Sequence, residues 1–372
     1  MNRWRWLLLL PFVVVIAFLA IRLRLNAVYR LPIDFDEMTY LPMAFRYRDM
    51  MTNGRWKEIL YFRENLEHPP LNKLVFAGRL MASRAQEPDW KKLDVPMSIP
   101  PSDQTAFFGP RKLSAYAGVL QVVIIALIHP IGGLLLALDS YHIKYSAQVY
   151  LEGLPGLLAV LAVSIFELAI RRKKNSSPAE PVHWMPLIFS AVFLGLAGAG
   201  KYIYGMVGPV MLGFLIGRRV RFRQLLLFPL VALAVFILAD PFLWPNPPAR
   251  LWESVMYHWD YSHSQHVVSS GMPWYSPFYH LTHASPTEWH PGVFPTGIVD
   301  IIILPLGIIG IPWAIRRRPI WVAWAGFGLL FLIFWPTKWP QYTLLVLPPL
   351  CVCAGIGVEQ IFRSWFKGWS RS

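Results

Sequence analysis

Long apolar blocks separated by short polar stretches dominate this chain. Blocks long enough to cross a bilayer, or nearly so, lie at 6–21, 113–129, 151–170, 184–200, 202–217, 225–239, 298–315, 320–335 and 342–362. A hydrocarbon core about 30 Å thick asks for roughly 20 apolar residues per helix, so each block reads as a membrane helix. A shorter block at 131–138 makes a tenth, and it is needed if the basic loops between blocks are to fall on consistent sides. The pattern predicts an all-α polytopic membrane protein with about ten transmembrane helices. It forms a single transmembrane domain over 1–372, with two long non-cytoplasmic loops at 22–112 and 240–296. Both loops are too aromatic and apolar to be disordered and should carry short interfacial helices. The segment 71–82 has apolar residues at 71, 74–77, 80 and 81 with Lys73, Arg79 and Arg84 near its edges. That spacing predicts a helix on the membrane surface, started by Pro69-Pro70. No repeat or heptad pattern is evident, and no separate soluble domain is expected beyond the last block.

Composition strengthens this picture. The chain is 55% hydrophobic and only 15% charged, with seventeen Trp, which excludes an ordinary soluble domain. Its mean hydropathy is +0.41. On a ten-helix count Arg3, Arg5, 171–174, Arg218, Arg219, Arg221, Arg223, 316–318, Arg363, Lys367 and Arg371 share one side. That side is expected to be cytoplasmic, with both termini. Arg22 and Arg24, at the outer end of the first block, run against the rule. These sixteen inner cations exceed the net charge of +14, so the basic balance follows topology and implies no nucleic-acid partner. Of 21 acids only Glu167, Glu180 and Glu359 fall on the inner side, which places the polar chemistry, and an active site, on the outer face. A signal-peptide cut after Ala20 would set bulky Phe18 at the minus-three position, so the first block is expected to stay as an anchor. Cys351 and Cys353 point to different faces of one helix and form no disulfide or zinc spacing. The lack of outer cysteines favours a bacterial or archaeal plasma membrane. The acceptor triplet Asn175-Ser176-Ser177 falls on the inner side, where glycosylation does not occur.

Against this background an acidic pair, Asp36 and Glu37, follows the first block, and Glu67-His68-Pro69-Pro70-Leu71-Asn72-Lys73 follows about thirty residues later. Carboxylates beside a membrane helix cost free energy and read as functional. In an extended or loop backbone the two acids point in different directions, which suits one base and one substrate or metal contact. A bland alternative balances the pair with Arg30, Arg46 or Arg48. Asp34 completes an Asp-Phe-Asp-Glu cluster that also admits a divalent cation; no other cofactor is implied. Arg111, Lys201 and Lys338 are cations at outward helix ends, placed either to meet an anion or simply to snorkel. Lys338 sits among Trp335, Pro336, Trp339 and Pro340, close to Tyr342. His68 either contacts substrate or orients its loop. The second long loop holds His258, His263, His266, His280, His283 and His290 among many aromatics, in no recognised zinc pattern. Those aromatics suit stacking on sugar rings or a place at the lipid headgroups.

Together, Phe35-Asp36-Glu37 and the Glu67–Lys73 string resemble the protein O-mannosyltransferase and aminoarabinose-transferase superfamily of membrane glycosyltransferases, which have the GT-C fold. Arg111-Lys112-Leu113-Ser114-Ala115 is similar to its entry into the second span. Glu152-Gly153-Leu154-Pro155 stands where members carry an acid, usually Asp. Gly198-Ala199-Gly200-Lys201-Tyr202 and Asp240-Pro241-Phe242-Leu243-Trp244-Pro245 resemble two further motifs. The resemblance implies an inverting transferase moving a hexose or pentose from a polyprenyl-phosphate donor to a hydroxyl on a protein, lipid or polysaccharide. Asp36 maps onto the base, with Glu37 fixing a substrate. His68, Lys73 and Tyr342 would line the site, Glu152 would support donor or loop, and Arg111, Lys201 and Lys338 would meet the phosphate. Superfamily members are normally longer and carry soluble domains, which leaves the acceptor open. The competing class is a transporter or flippase of lipid-linked sugars, which would carry acids at mid-membrane.

Overall fold

In the computed structural model, which describes residues 3–64, 66–170, 182–295 and 297–369, every regular element is a helix. The basic cluster 171–174, the Asn175-Ser176-Ser177 triplet, Glu180 and Arg371 lie outside the described residues. In chain order the helices are α1 Arg3–Arg30, α2 Phe35–Thr52, α3 Trp56–Tyr61, α4 Leu71–Ser83, α5 Gln104–Ile128 and α6 Pro130–Leu138. They continue with α7 Ser140–Ala147, α8 Gly153–Ala169, α9 Trp184–Gly200, α10 Val207–Gly217, α11 Phe222–Ala239 and α12 Pro247–Ser262. The last six are α13 Gln265–Ser269, α14 Ser276–His280, α15 Ser285–Trp289, α16 Ile298–Arg317, α17 Pro319–Phe334 and α18 Leu347–Trp369.

Among the described residues four helices have both the length and the apolarity to cross a membrane: Leu9–Arg30, Pro101–Ile128, Phe222–Ala239 and Ile298–Arg317. Four shorter apolar helices accompany them, at Gly153–Ala169, Trp184–Gly200, Tyr202–Gly217 and Pro319–Phe334. The block expected as a tenth span is α6, whose nine residues rise only about 14 Å, less than half a hydrocarbon core. The block at 342–362 opens as a 3₁₀ turn, Pro340–Leu345, before α18.

The chain folds as two compact units. The first comprises Met1–Leu31, Ala115–Gln148 and Pro273–Ser372. Within it α18 packs on α16 and α6 through glycine. A Cβ on Gly132 would come within 2.6 Å of the Cys351 carbonyl oxygen, so only hydrogen fits at this crossing. Here α1 departs from expectation: it runs unbroken to Arg30, so Arg24 lies inside a helix and is fully buried. Its guanidinium reaches Ser146 Oγ at 3.2 Å, the Leu136 and Ala137 carbonyls at 3.3 and 3.4 Å, and His142 Nδ1 at 2.5 Å. Side chains and carbonyls inside the bundle thus take the place of water around this cation.

The second unit comprises Pro32–Ser114 and Val149–Met272. In it α8, α9 and α11 pack side by side, while α2 and α4 pair around Tyr40, Leu41, Phe45, Phe76, Leu80 and Phe107. The segment expected as a surface helix is α4, with Phe76, Ala77 and Leu80 turned inward. All seven residues of the first acidic loop and the α8–α9 region that sequence motifs single out fall in this unit.

Candidate active site

The acidic pair is helical rather than extended, because Asp34 caps α2 and brings Phe35, Asp36 and Glu37 into its first turn. Acids suit a first turn, where unpaired N–H groups carry positive charge. Glu37 accepts the Asp34 N–H at 3.2 Å, the reach-back bond of a capping box. Successive helical residues diverge by about 100°, so the two carboxylates still part ways. Glu37 turns fully inward: Arg111 Nε donates to its Oε1 at 2.7 Å and Arg111 Nη2 to its Oε2 at 2.5 Å. The Val149 N–H adds a bond to Oε1 at 2.9 Å, and Arg111 Nη2 also reaches the Pro32 carbonyl at 2.8 Å. This fork is two-toothed, dry and saturated.

Asp36 stays half-buried. Burial pushes its carboxyl up to about 8, reinforced by Glu152, Asp34 and Glu67 and opposed by Lys201. Its neighbourhood is built by two other segments. Pro70 caps α4 and sets Asn72 and Lys73 in its first turn. Asn72 Nδ2 donates to the Leu151 carbonyl at 2.9 Å, and Lys73 Nζ to the His68 carbonyl at 2.8 Å. From the other side α9 ends at Gly200, and buried Lys201, in extended backbone, pairs with buried Glu152. Gly200 is required there: a Cβ would lie 2.7 Å from Pro155 Cγ and 3.3 Å from Asn72 Oδ1.

Further titratable groups lie around this centre. Burial lowers Lys73 to about 7, against the pull of Asp240 and Glu67, and raises Asp240 to about 7, against the pull of Lys73. His68 stands 6.0 Å from the Tyr40 ring and 6.1 Å from the His258 ring, and Tyr202 stands 6.0 Å from His258. Burial pushes His68 well below its ordinary value and His258 to about 4, so both rings are neutral at pH 7. Tyr202 donates to Ser254 Oγ at 3.3 Å. Next to Tyr202 an apolar cavity of about 430 Å³ opens along α9, α10 and α11, lined by Gly195, Gly198, Gly205, Gly208, Leu212 and Phe236 among others.

Thus Asp36, Glu37, His68, Lys73, Arg111, Glu152 and Lys201 all sit in one compact unit. Lys338 and Tyr342 belong to the other. There Lys338 donates to the Trp335 carbonyl at 2.7 Å, and Tyr342 is buried in the 3₁₀ turn. Sequence reading did not select Asn72, Glu67, Tyr202, Asp240 or His258 as site residues. Asn72 and Glu67 lay inside the quoted motif, and Asp240 is an acid ending an apolar run, a signal of the same kind as Asp36. His258 could not be told from five other loop histidines. Among the described residues no three His, Cys, Asp or Glu converge as a metal-ligand set.

A helical fold of this topology is that of the GT-C membrane glycosyltransferases. ArnT from Cupriavidus metallidurans, in a crystal structure bound to undecaprenyl phosphate, matches with a TM-score of 0.61 at 15% identity, over 99% of this chain and 62% of that one. The archaeal oligosaccharyltransferase AglB from Archaeoglobus fulgidus, in complex with an inhibitory peptide and a dolichol-phosphate, matches with a TM-score of 0.58 at 12% identity, over 100% and 52%. This chain therefore spans about half to three fifths of the length of these two structures. No family model and no curated protein matches it.

Proposed function

We propose that this protein is an inverting glycosyltransferase that takes a sugar from a polyprenyl-phosphate donor and passes it to a hydroxyl acceptor at the outer face of the membrane. The observation that carries the reading is half-buried Asp36 within electrostatic reach of Glu152, Lys201 and Glu67, with an apolar cavity opening next to Tyr202. Structural neighbours of the same fold bind undecaprenyl phosphate or dolichol-phosphate, which supports a lipid-linked donor.

The residues divide the work as follows. A hydroxyl is a weak nucleophile, and Asp36 takes its proton as the oxygen attacks the anomeric carbon. The bond from that carbon to the phosphate oxygen breaks, its electron pair leaves with the lipid phosphate, and configuration at the carbon inverts. A phosphate departs without protonation, so the site needs cations rather than an acid. Lys201, paired with Glu152, supplies that charge, and Lys73 lines the site near Asp240. Arg111 is committed to Glu37, and the two together brace the first turn of α2. The apolar cavity along α9 to α11 takes the first isoprene units. His68 and His258, neutral and close to Tyr40 and Tyr202, form the acceptor side.

The test is sugar transfer by vesicles containing the intact chain, supplied with a panel of radiolabelled polyprenyl-phosphate sugars, with Asp36→Asn at matched expression. Transfer from one donor class that falls by about 10²-fold or more in Asp36→Asn supports the reading. Labelled lipid that crosses the bilayer unconsumed, equally in both proteins, means a transporter instead.

A further inference from the structure

The helix α12 has two faces of opposite character. Arg250, Ser254 and His258 lie four residues apart and turn inward. Arg250 sits over the Phe242 ring at 4.8 Å and the Tyr61 ring at 5.6 Å, Ser254 accepts from Tyr202, and the His258 ring lies between those of His68 and Tyr202. With about 100° per residue, Trp252, Val255 and Trp259 fall on the opposite side. They are 63%, 45% and 60% exposed, with Leu251 at their edge. No charged residue interrupts this stripe. Glu253 is drawn aside to Arg63 at 3.3 Å and Arg250 at 3.6 Å, and Asp260 lies at its border.

Two observations say what covers the stripe. Seven residues, 240–246, join the end of α11 at Ala239 to the start of α12, and three of them form a 3₁₀ turn. Even fully extended they would reach only about 25 Å, so α12 stays near the level where α11 leaves the membrane. The apolar surface is also continuous along the chain. On α11 Leu226, Leu230, Leu233 and Leu238 are exposed as lipid-facing residues are, and exposed Trp244 follows, its indole N–H tied to the Ile237 carbonyl at 2.9 Å. Aliphatic Leu251 and Val255 beside the two indoles suit a bilayer boundary better than a sugar platform, which uses ring faces alone.

We infer that α12 is a membrane-riding strap: its Trp252–Val255–Trp259 face lies among the headgroups of the leaflet from which α11 emerges, while its Arg250–Ser254–His258 face holds the reacting pocket. The bilayer contact stands whatever the pocket does; the second half rests on the glycosyltransferase reading. The strap keeps the pocket at the depth where the phosphate of a membrane-anchored donor lies.

The experiment is electron paramagnetic resonance on the full chain in vesicles, with Cys351→Ala and Cys353→Ala as background and a nitroxide placed at Val255→Cys. Trp259→Cys serves as a second position should the first fail to fold, and Lys57→Cys, on exposed α3, is the aqueous reference. The label at 255 is expected to collide several-fold more with dissolved oxygen, relative to a water-soluble nickel chelate, than the label at 57. Equal ratios at the two positions overturn the strap. A water-exposed label that is immobilised by added soluble oligosaccharide also overturns it, in favour of a sugar platform. Neither readout needs catalysis, so failure here is distinct from failure to transfer sugar.

Discussion

At the scale of single residues, adjacent acids receive opposite treatment. Glu37 is dry and saturated by Arg111 and the Val149 N–H, whereas Asp36 is half-buried among other acids. Glu37→Gln leaves the Arg111 guanidinium buried beside a neutral amide, and breaking a buried pair from one side costs about 3–5 kcal/mol. Thermal unfolding in detergent is expected to fall accordingly, while the double change Glu37→Leu with Arg111→Leu regains much of the loss. Asp36 makes a pH prediction. Below about 8 its carboxyl is mostly protonated and cannot act as a base. Transfer measured as kcat/KM should therefore climb about tenfold per pH unit below that point and level off above it. Its effect on stability has the reverse sense. The folded chain holds this proton more tightly than the unfolded one, so the contribution is present at low pH. It is lost as pH rises from the ordinary carboxylate range to about 8.

Helices meet in this protein where glycine lets them. On α9, Gly195 faces the Ala232 carbonyl of α11, and Gly200 faces Pro155 of α8. Gly200→Ala must displace Pro155 or Asn72, a strain of about 1–3 kcal/mol placed directly beside Lys201. Transfer should fall more than thermal stability does, and parallel measurement of initial rate and unfolding midpoint checks it. At this scale much was legible from sequence. Apolar blocks at 184–200 and 298–315 became helices with nearly those bounds, since twenty apolar residues in lipid have few other solutions. A helix at 71–82 was legible too, from its spacing and paired prolines, but the inward turn of Lys73 was not. The backbone of Asp36 and Glu37 was not. Asp34 as a cap could be read locally, but the partner that draws Glu37 inward lies 74 residues away, and no local pattern announces it.

For the molecule as a whole, the blocks sort into two compact units, and the residues of the acidic motif and of the α8–α9 region share one of them. Motifs far apart in sequence and united in space were legible through their resemblance to a known superfamily, not through composition. The burial of Arg24 was not legible, because a count of charges along the chain treats every cation as solvated, and this one is not. Topology remains open to direct measurement. With Cys351 and Cys353 replaced, a cysteine at Arg219 should react with an impermeant maleimide only from the cytoplasmic side, and one at Arg63 only from outside, as the basic asymmetry expects. The reverse pattern at both positions would place the reacting centre in the cytoplasm.

The fork between Glu37 and Arg111 also sets an order of events during biosynthesis. A nascent chain inserted only as far as α4 carries Glu37 without its guanidinium, and the Val149 N–H arrives later still. The Glu37 carboxylate can therefore gather its full set of donors only after α5 and the segment leading into α8 have been made, although Asp34 can cap α2 from the start. The brace on the first turn of α2 is completed late in synthesis, while the acids it holds are made early.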